Sequence, residues 1–143
     1  MDVCYIPKYI PKSCAQFLLL IPRDGTQGQA SYYEPSISKD KDHPLACGDY
    51  GLSDDELLVA LPKAVFTQDL CHKTIWAQVN DPRSSQNGKR VDNIKIVDLC
   101  PEPNAEGQGC GPTKVDLSDG AAKAVYGDDY TQPGVFNIEW GIA

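Results

Sequence analysis

The sequence predicts an all-β fold: five or six short strands closing into a small barrel, one short helix as its lid, and disulfides as staples. Three observations predict it. Apolar residues come in short runs that alternate with polar ones, as in Thr74–Asn80, where Ile75, Ala77 and Val79 face one way and Thr74, Trp76 and Gln78 the other. Only Ser118–Tyr126 carries helix start and stop signals together. Cys4, Cys14, Cys47, Cys71, Cys100 and Cys110 form an even set with no metal-type spacing, and His43 and His72 stand isolated, so disulfides are expected and no metal or cofactor is.

The bulk properties bound the partners. At 143 residues the chain holds one good core. A net charge of −7 repels nucleic acid, and neither Lys39–Lys41 nor Lys89–Arg90 makes a basic patch. The longest apolar run, Phe17–Ile21, ends at Pro22, well short of the roughly 20 residues that span a bilayer, so no membrane partner is expected.

Along the chain, residues 1–26 read as an extended N-terminal arm. Pro7 and Pro11 disfavour a helix or central strand there, and Phe17–Ile21 is an alternative edge strand. The domain proper is expected over 27–143. Gly28–Tyr33 is a candidate strand ended by Pro35, and residues 36–46 form an aperiodic polar loop. Ser53-Asp-Asp-Glu56 matches a capping box but can support one turn at most. Leu57–Leu61 reads as a buried strand and Pro62–Phe66 as a short helical turn with proline at its start.

After the Thr74–Asn80 strand, residues 80–88 form a long hairpin connection. In Arg90–Leu99, Ile94 and Ile96 share one face, but Val97 and Leu99 take the other, a phase switch that indicates a bulge or bend. Val115 and Leu117 mark a further strand. Ser118 then caps a helix that Ala121, Ala122 and Ala124 propagate and Gly127 closes. Val135–Ile142 is the final strand, with Trp140 beside Phe136 and Ile138 on the packed face. Six cysteines allow fifteen pairings. The simplest joins nearest neighbours, Cys4–Cys14, Cys47–Cys71 and Cys100–Cys110.

Six local motifs in order carry a resemblance. Gly28-Gln-Ala-Ser-Tyr-Tyr33, Ala46-Cys47-Gly48, Leu57-Leu-Val-Ala-Leu-Pro62, Cys71-His-Lys-Thr-Ile75, Val97-Asp-Leu-Cys-Pro101 and Val115-Asp-Leu-Ser118 run collinearly. Together they resemble the first domain of expansins and their single-domain fungal relatives, the loosenins. That group includes RlpA-like and barwin-like proteins and family 45 glycoside hydrolases. The resemblance implies a six-stranded double-psi β-barrel in a secreted, extracellular protein. With no second domain expected after residue 143, the resemblance points to the single-domain, loosenin-like end.

The resemblance also implies a site. Inverting glycoside hydrolysis needs a protonated carboxyl and a second carboxylate that activates water. The acid of the hydrolase relatives corresponds to Asp116. Their base corresponds to Pro35, or to Glu34 if the register slips, so the general base is expected to be missing. Asp98 is expected near Asp116 as a second acid-like groove carboxylate, and Ser31, Tyr33 and Trp76 complete the substrate-binding set. Among other aromatics that could stack on sugar rings are Tyr32, Tyr50, Tyr126 and Tyr130. Without the resemblance, Asp98 and Asp116 read as turn caps.

The expected function is a secreted, non-hydrolytic protein that binds and loosens cell-wall polysaccharide (cellulose, chitin or peptidoglycan), acting as a monomer. The alternatives are a cysteine-protease inhibitor using loops 36–46 and 81–89, or a weak endoglucanase or lytic transglycosylase using Asp116.

Overall fold

The computed structural model describes residues 25–143. Residues 1–24 of the N-terminal arm, with the Cys4–Cys14 pair, therefore lie outside the described residues. Six strands, β1 (Thr26–Tyr33), β2 (Leu58–Pro62), β3 (Thr74–Val79), β4 (Arg90–Cys100), β5 (Lys114–Ser118) and β6 (Phe136–Ile142), and one helix, α1 (Asp119–Tyr126), make up the fold. The strands close into a barrel in the order β1-β5-β2-β4-β3-β6. Thr26, assigned to the arm by sequence, already pairs with Trp140.

Two of the six pairings are parallel, β1 with β5 and β2 with β4, and the other four are antiparallel. The connections from β1 to β2 and from β4 to β5 join strands that are not neighbours in the barrel, and both are long; Cys47 in the first is bonded to Cys71, and Cys100 at the end of β4 to Cys110 in the second. Alternation along the strands sends Ala30, Val59, Leu61, Ile75, Ala77, Val79, Ile94, Ile96, Val115 and Leu117 inward to one core, joined by Phe136, Ile138 and Trp140. Helix α1 packs on this core through Ala121, Ala122, Val125 and Tyr126.

The phase switch in β4 is a bulge. Val59 pairs with Ile96 but Ala60 with Asp98, so Val97 is the extra residue. A second irregularity sits between Ile75 and Ala77 opposite Ile94 and Val91, with Asn93 at φ 63°. The capping box at Ser53 forms as a single turn, with Glu56 Oε2 accepting from Ser53 N at 3.0 Å. Over Pro62–Phe66 the chain makes a single turn in which Val65 and Phe66 N–H both donate to Pro62 O, the i+3 and i+4 bonds of one helical turn, and Pro62 itself ends β2. Loop 81–89 is tied down by Asp81, whose carboxylate accepts from Arg83, from Arg83 N and from Asn137 N. The bond from Arg83 in particular holds the Asp81 carboxyl well below the usual range despite its burial.

Ser118 links strand, loop and helix. Its buried hydroxyl accepts from Ala121 N as the helix cap and from Leu58 N, both at 3.1 Å, and donates to Glu56 O at 2.6 Å. Removing it leaves two buried N–H groups and one carbonyl without that partner. Ser118→Ala is therefore expected to lower unfolding free energy by about 2–3 kcal/mol in a urea titration; a loss well under 1 kcal/mol would contradict this account.

Candidate functional site

Four neighbouring strands place a row of side chains on the outer wall of the barrel. Ser31 on β1 pairs with Asp116 on β5, Asp116 with Ala60 on β2, and Ala60 with Asp98 on β4. Because the partners of an outward residue point outward too, the four share one face. Asp98 is there only because of the bulge: with Ile94 and Ile96 inward, strict alternation would have turned Asp98 into the core.

The row is internally bonded. Ser31 Oγ donates to Asp116 Oδ1 at 2.9 Å. Tyr33 lies against Ala60, Cys100 and Cys110 and donates its phenol to Asp98 Oδ2 at 3.1 Å. Ala60 has no side chain beyond Cβ, which leaves the ring room to pass over β2. The other oxygen of Asp98 accepts from Ala46 N at 2.9 Å, next to the Cys47–Cys71 staple. Asp98 thus serves the loop as well as the row, while the helix cap is Ser118 and not Asp116.

Burial pushes the Asp116 carboxyl above its ordinary range; the Ser31 bond and Lys114 pull it down without cancelling the rise, and Asp98 adds to it. Burial, with the Asp98 charge second, holds the Tyr33 phenol protonated far above its usual range. The row therefore offers a phenol hydroxyl, a serine hydroxyl and two carboxyls, one of them inclined to keep a proton. Such a set can accept from and donate to neutral hydroxyl groups.

The sequence-predicted Ser31, Tyr33, Asp98 and Asp116 come together. Trp76 does not join them, and its expected exposure is corrected: it is 8 % exposed. It faces outward, but Gly141 opposite it and Gly25 leave room for the indole to lie flat, and the Arg90 guanidinium covers it at 4.4 Å. Of the other aromatics, Tyr126 is buried on Phe136, and Tyr32 meets Tyr130 edge-on at 5.0 Å against the core. Tyr50 is exposed.

Glu34, the register-slip candidate for a base, is gathered with Asp54 and Asp119, their carboxylate oxygens all within 4.8 Å, and Pro35 is buried. Asp54 accepts from Ser36 N and Oγ, and Asp119 from Tyr130, whose phenol is pushed up to about 12 by burial and that bond. Sequence reasoning missed the Ala46 amide and Lys114, whose Nζ donates to Gly109 O at 3.1 Å. A backbone amide carries no sequence signal, and a lysine before Val115 looks like any exposed strand residue. A cleft of about 800 Å³ shares no residue with the row and lies between loop 82–86 and the end of α1.

No protein-family model and no curated protein matches the sequence. Solved structures do. The Streptomyces papain inhibitor superposes with a TM-score of 0.52 at 26 % identity, covering 82 % of this chain and 90 % of its own. The expansin of Clavibacter michiganensis, without ligand, gives 0.57 at 19 % identity. A mutant of that expansin in complex with cellohexaose gives 0.56 at the same identity. Both cover 83 % of this chain, which spans half the length of the expansin chains. The expansin likeness is one of fold.

A raised carboxyl has a defined signature. The folded state holds the Asp116 proton above the pH at which the unfolded chain releases it, so stability falls as pH rises through that window. Asp116→Asn, which keeps an oxygen for Ser31, removes this loss. The variant is expected to match the native protein near pH 4 and exceed it near pH 7 in parallel chemical denaturation. A stability difference independent of pH would refute the shift.

Proposed function

We propose that the row Ser31–Asp116–Asp98–Tyr33 is a polysaccharide-binding site on a double-psi β-barrel, and that the protein is a secreted, non-hydrolytic, expansin-like wall-binding protein. The observation that carries this reading is the bonded pairing of Ser31 with Asp116 and Tyr33 with Asp98 on one face. The interleaved order β1-β5-β2-β4, with its two parallel pairs, supports the double-psi topology. The two staples suit an oxidising, extracellular setting.

On this reading the row loosens a wall by substitution. Sugar hydroxyls that bond a neighbouring chain exchange that partner for Asp98, Asp116 or Tyr33. Charge-assisted bonds to carboxylate are stronger than neutral ones, which favours the exchange. No covalent bond is broken, in keeping with a proline where the hydrolases carry their base. The complex of a similar fold with cellohexaose supports a glucan as one ligand class.

A second reading has its own support. The papain inhibitor is covered over 90 % of its length, so a cysteine protease is an alternative partner, met through loops 36–46 and 81–89. Loop 81–89 borders the 800 Å³ cleft and is held by Asp81. A third reading, weak endoglucanase or lytic transglycosylase action through Asp116, requires activity that Asp116→Asn abolishes.

Sedimentation with insoluble cellulose, chitin and peptidoglycan separates these. Saturable retention on one polymer without release of reducing sugar is expected. Asp98→Ala with Asp116→Ala should weaken that retention by on the order of tenfold or more, from the loss of charge-assisted bonds. Retention on none of the three polymers, together with slowing of papain, would replace this reading by the second.

A further inference from the structure

The outer face does not stop at the carboxylate row. Two residues along each strand lie Pro62 on β2, Cys100 on β4 and Lys114 on β5, with Pro62 paired to Cys100. Another two residues on come Ala64, Glu102 and Pro112, which with Pro103, Cys110 and Gly111 line a cleft of about 300 Å³. β2 and β4 end at Pro62 and Cys100 and β5 begins at Lys114, so the cleft lies just past the strand ends, where the chain turns at Pro62–Phe66 and at Gly111–Lys114. Between the two stands the Cys100–Cys110 staple, with Tyr33 packed on it from the row and Cys110 also lining the cleft.

The cleft's chemistry is as particular as its place. Proline rings and a disulfide give an apolar wall, and Glu102 supplies its one charged group. No lysine or arginine lines it, and Lys114 is bonded to Gly109 O. Rings with an apolar face and hydroxyl edges fit such a wall. Anionic sugars meet Glu102 here, Asp98 and Asp116 in the row, and a net charge of −7 overall.

We infer that this cleft is a second sugar subsite, adjoining the row across the Cys100–Cys110 staple, and that the site takes an extended neutral glycan and rejects polyuronates. The inference rests on the polysaccharide reading above. A chain too short to reach past the staple uses the row alone, whereas a longer one gains the cleft.

The test uses trimers and hexamers of cellulose and chitin, and hexagalacturonate, with binding followed by calorimetry. Gly111 permits a clean block: its backbone lies outside the left-handed region, and a Cβ there meets no heavy atom within 4 Å. The native protein is expected to bind one of the neutral hexamers on the order of tenfold tighter than its trimer, a difference of about 1.4 kcal/mol. Gly111→Phe, and independently Ala64→Phe, should abolish that difference while leaving trimer affinity unchanged. Hexamer affinity that survives both substitutions, or equal affinity for hexagalacturonate, would overturn the second subsite while leaving the row intact. No binding of either neutral hexamer by the native protein would overturn the row along with it.

Discussion

One extra residue in β4 decides which chemistry this barrel can show. A closed barrel sorts side chains strictly by parity, inward or outward, and a single inserted residue reverses the parity of everything beyond it. Before Val97, β4 spends its inward positions on Ile94 and Ile96. After it, Asp98 points outward beside Ala60, and Leu99 pairs with the inward Leu61. Without the bulge a carboxylate would enter the core, at a desolvation cost no partner there could offset. Val97 itself is not wasted, since it packs outside the barrel against Leu45 and Leu58. The same device turns Asp98 toward Tyr33 and fixes a small apolar anchor for the loop over it.

The row is held by structure on both flanks. Tyr33 rests on the Cys100–Cys110 disulfide, and the Ala46 amide that engages Asp98 adjoins the Cys47–Cys71 disulfide. Each staple thus restrains a long connection between strands that are not neighbours in the barrel and also adjoins a group of the row. At the far end of β5, Ser118 ties strand, helix and β2 together through one hydroxyl. The site is therefore built on strands whose neighbours are locked by packing and bonds, which keeps a polar row in one geometry in the absence of ligand.

Much of this was legible locally. The helix was marked by Ser118 and Gly127, and the capping role is confirmed in the bond to Ala121 N. The bulge was marked by apolar residues changing phase at Val97. Trp76 was misjudged for a physical reason. Alternation correctly put it outside, but outside is not exposed where the neighbouring strand carries Gly141 and an arginine folds over the ring. Tyr126 is likewise taken up by the core, packed on Phe136, while Tyr32 stays half-buried against it.

By itself the sequence determined the all-β class, the position of the helix, the break in β4 and the types of polar side chain available, because these follow from local periodicity, capping and turn chemistry. Tertiary structure alone decided the strand order and its two parallel pairs, which rest on contacts between distant segments. It also brought Ser31 to Asp116 and Tyr33 to Asp98 across 85 and 65 residues of chain. No local pattern encodes those meetings; they exist because barrel closure leaves each strand one pair of neighbours.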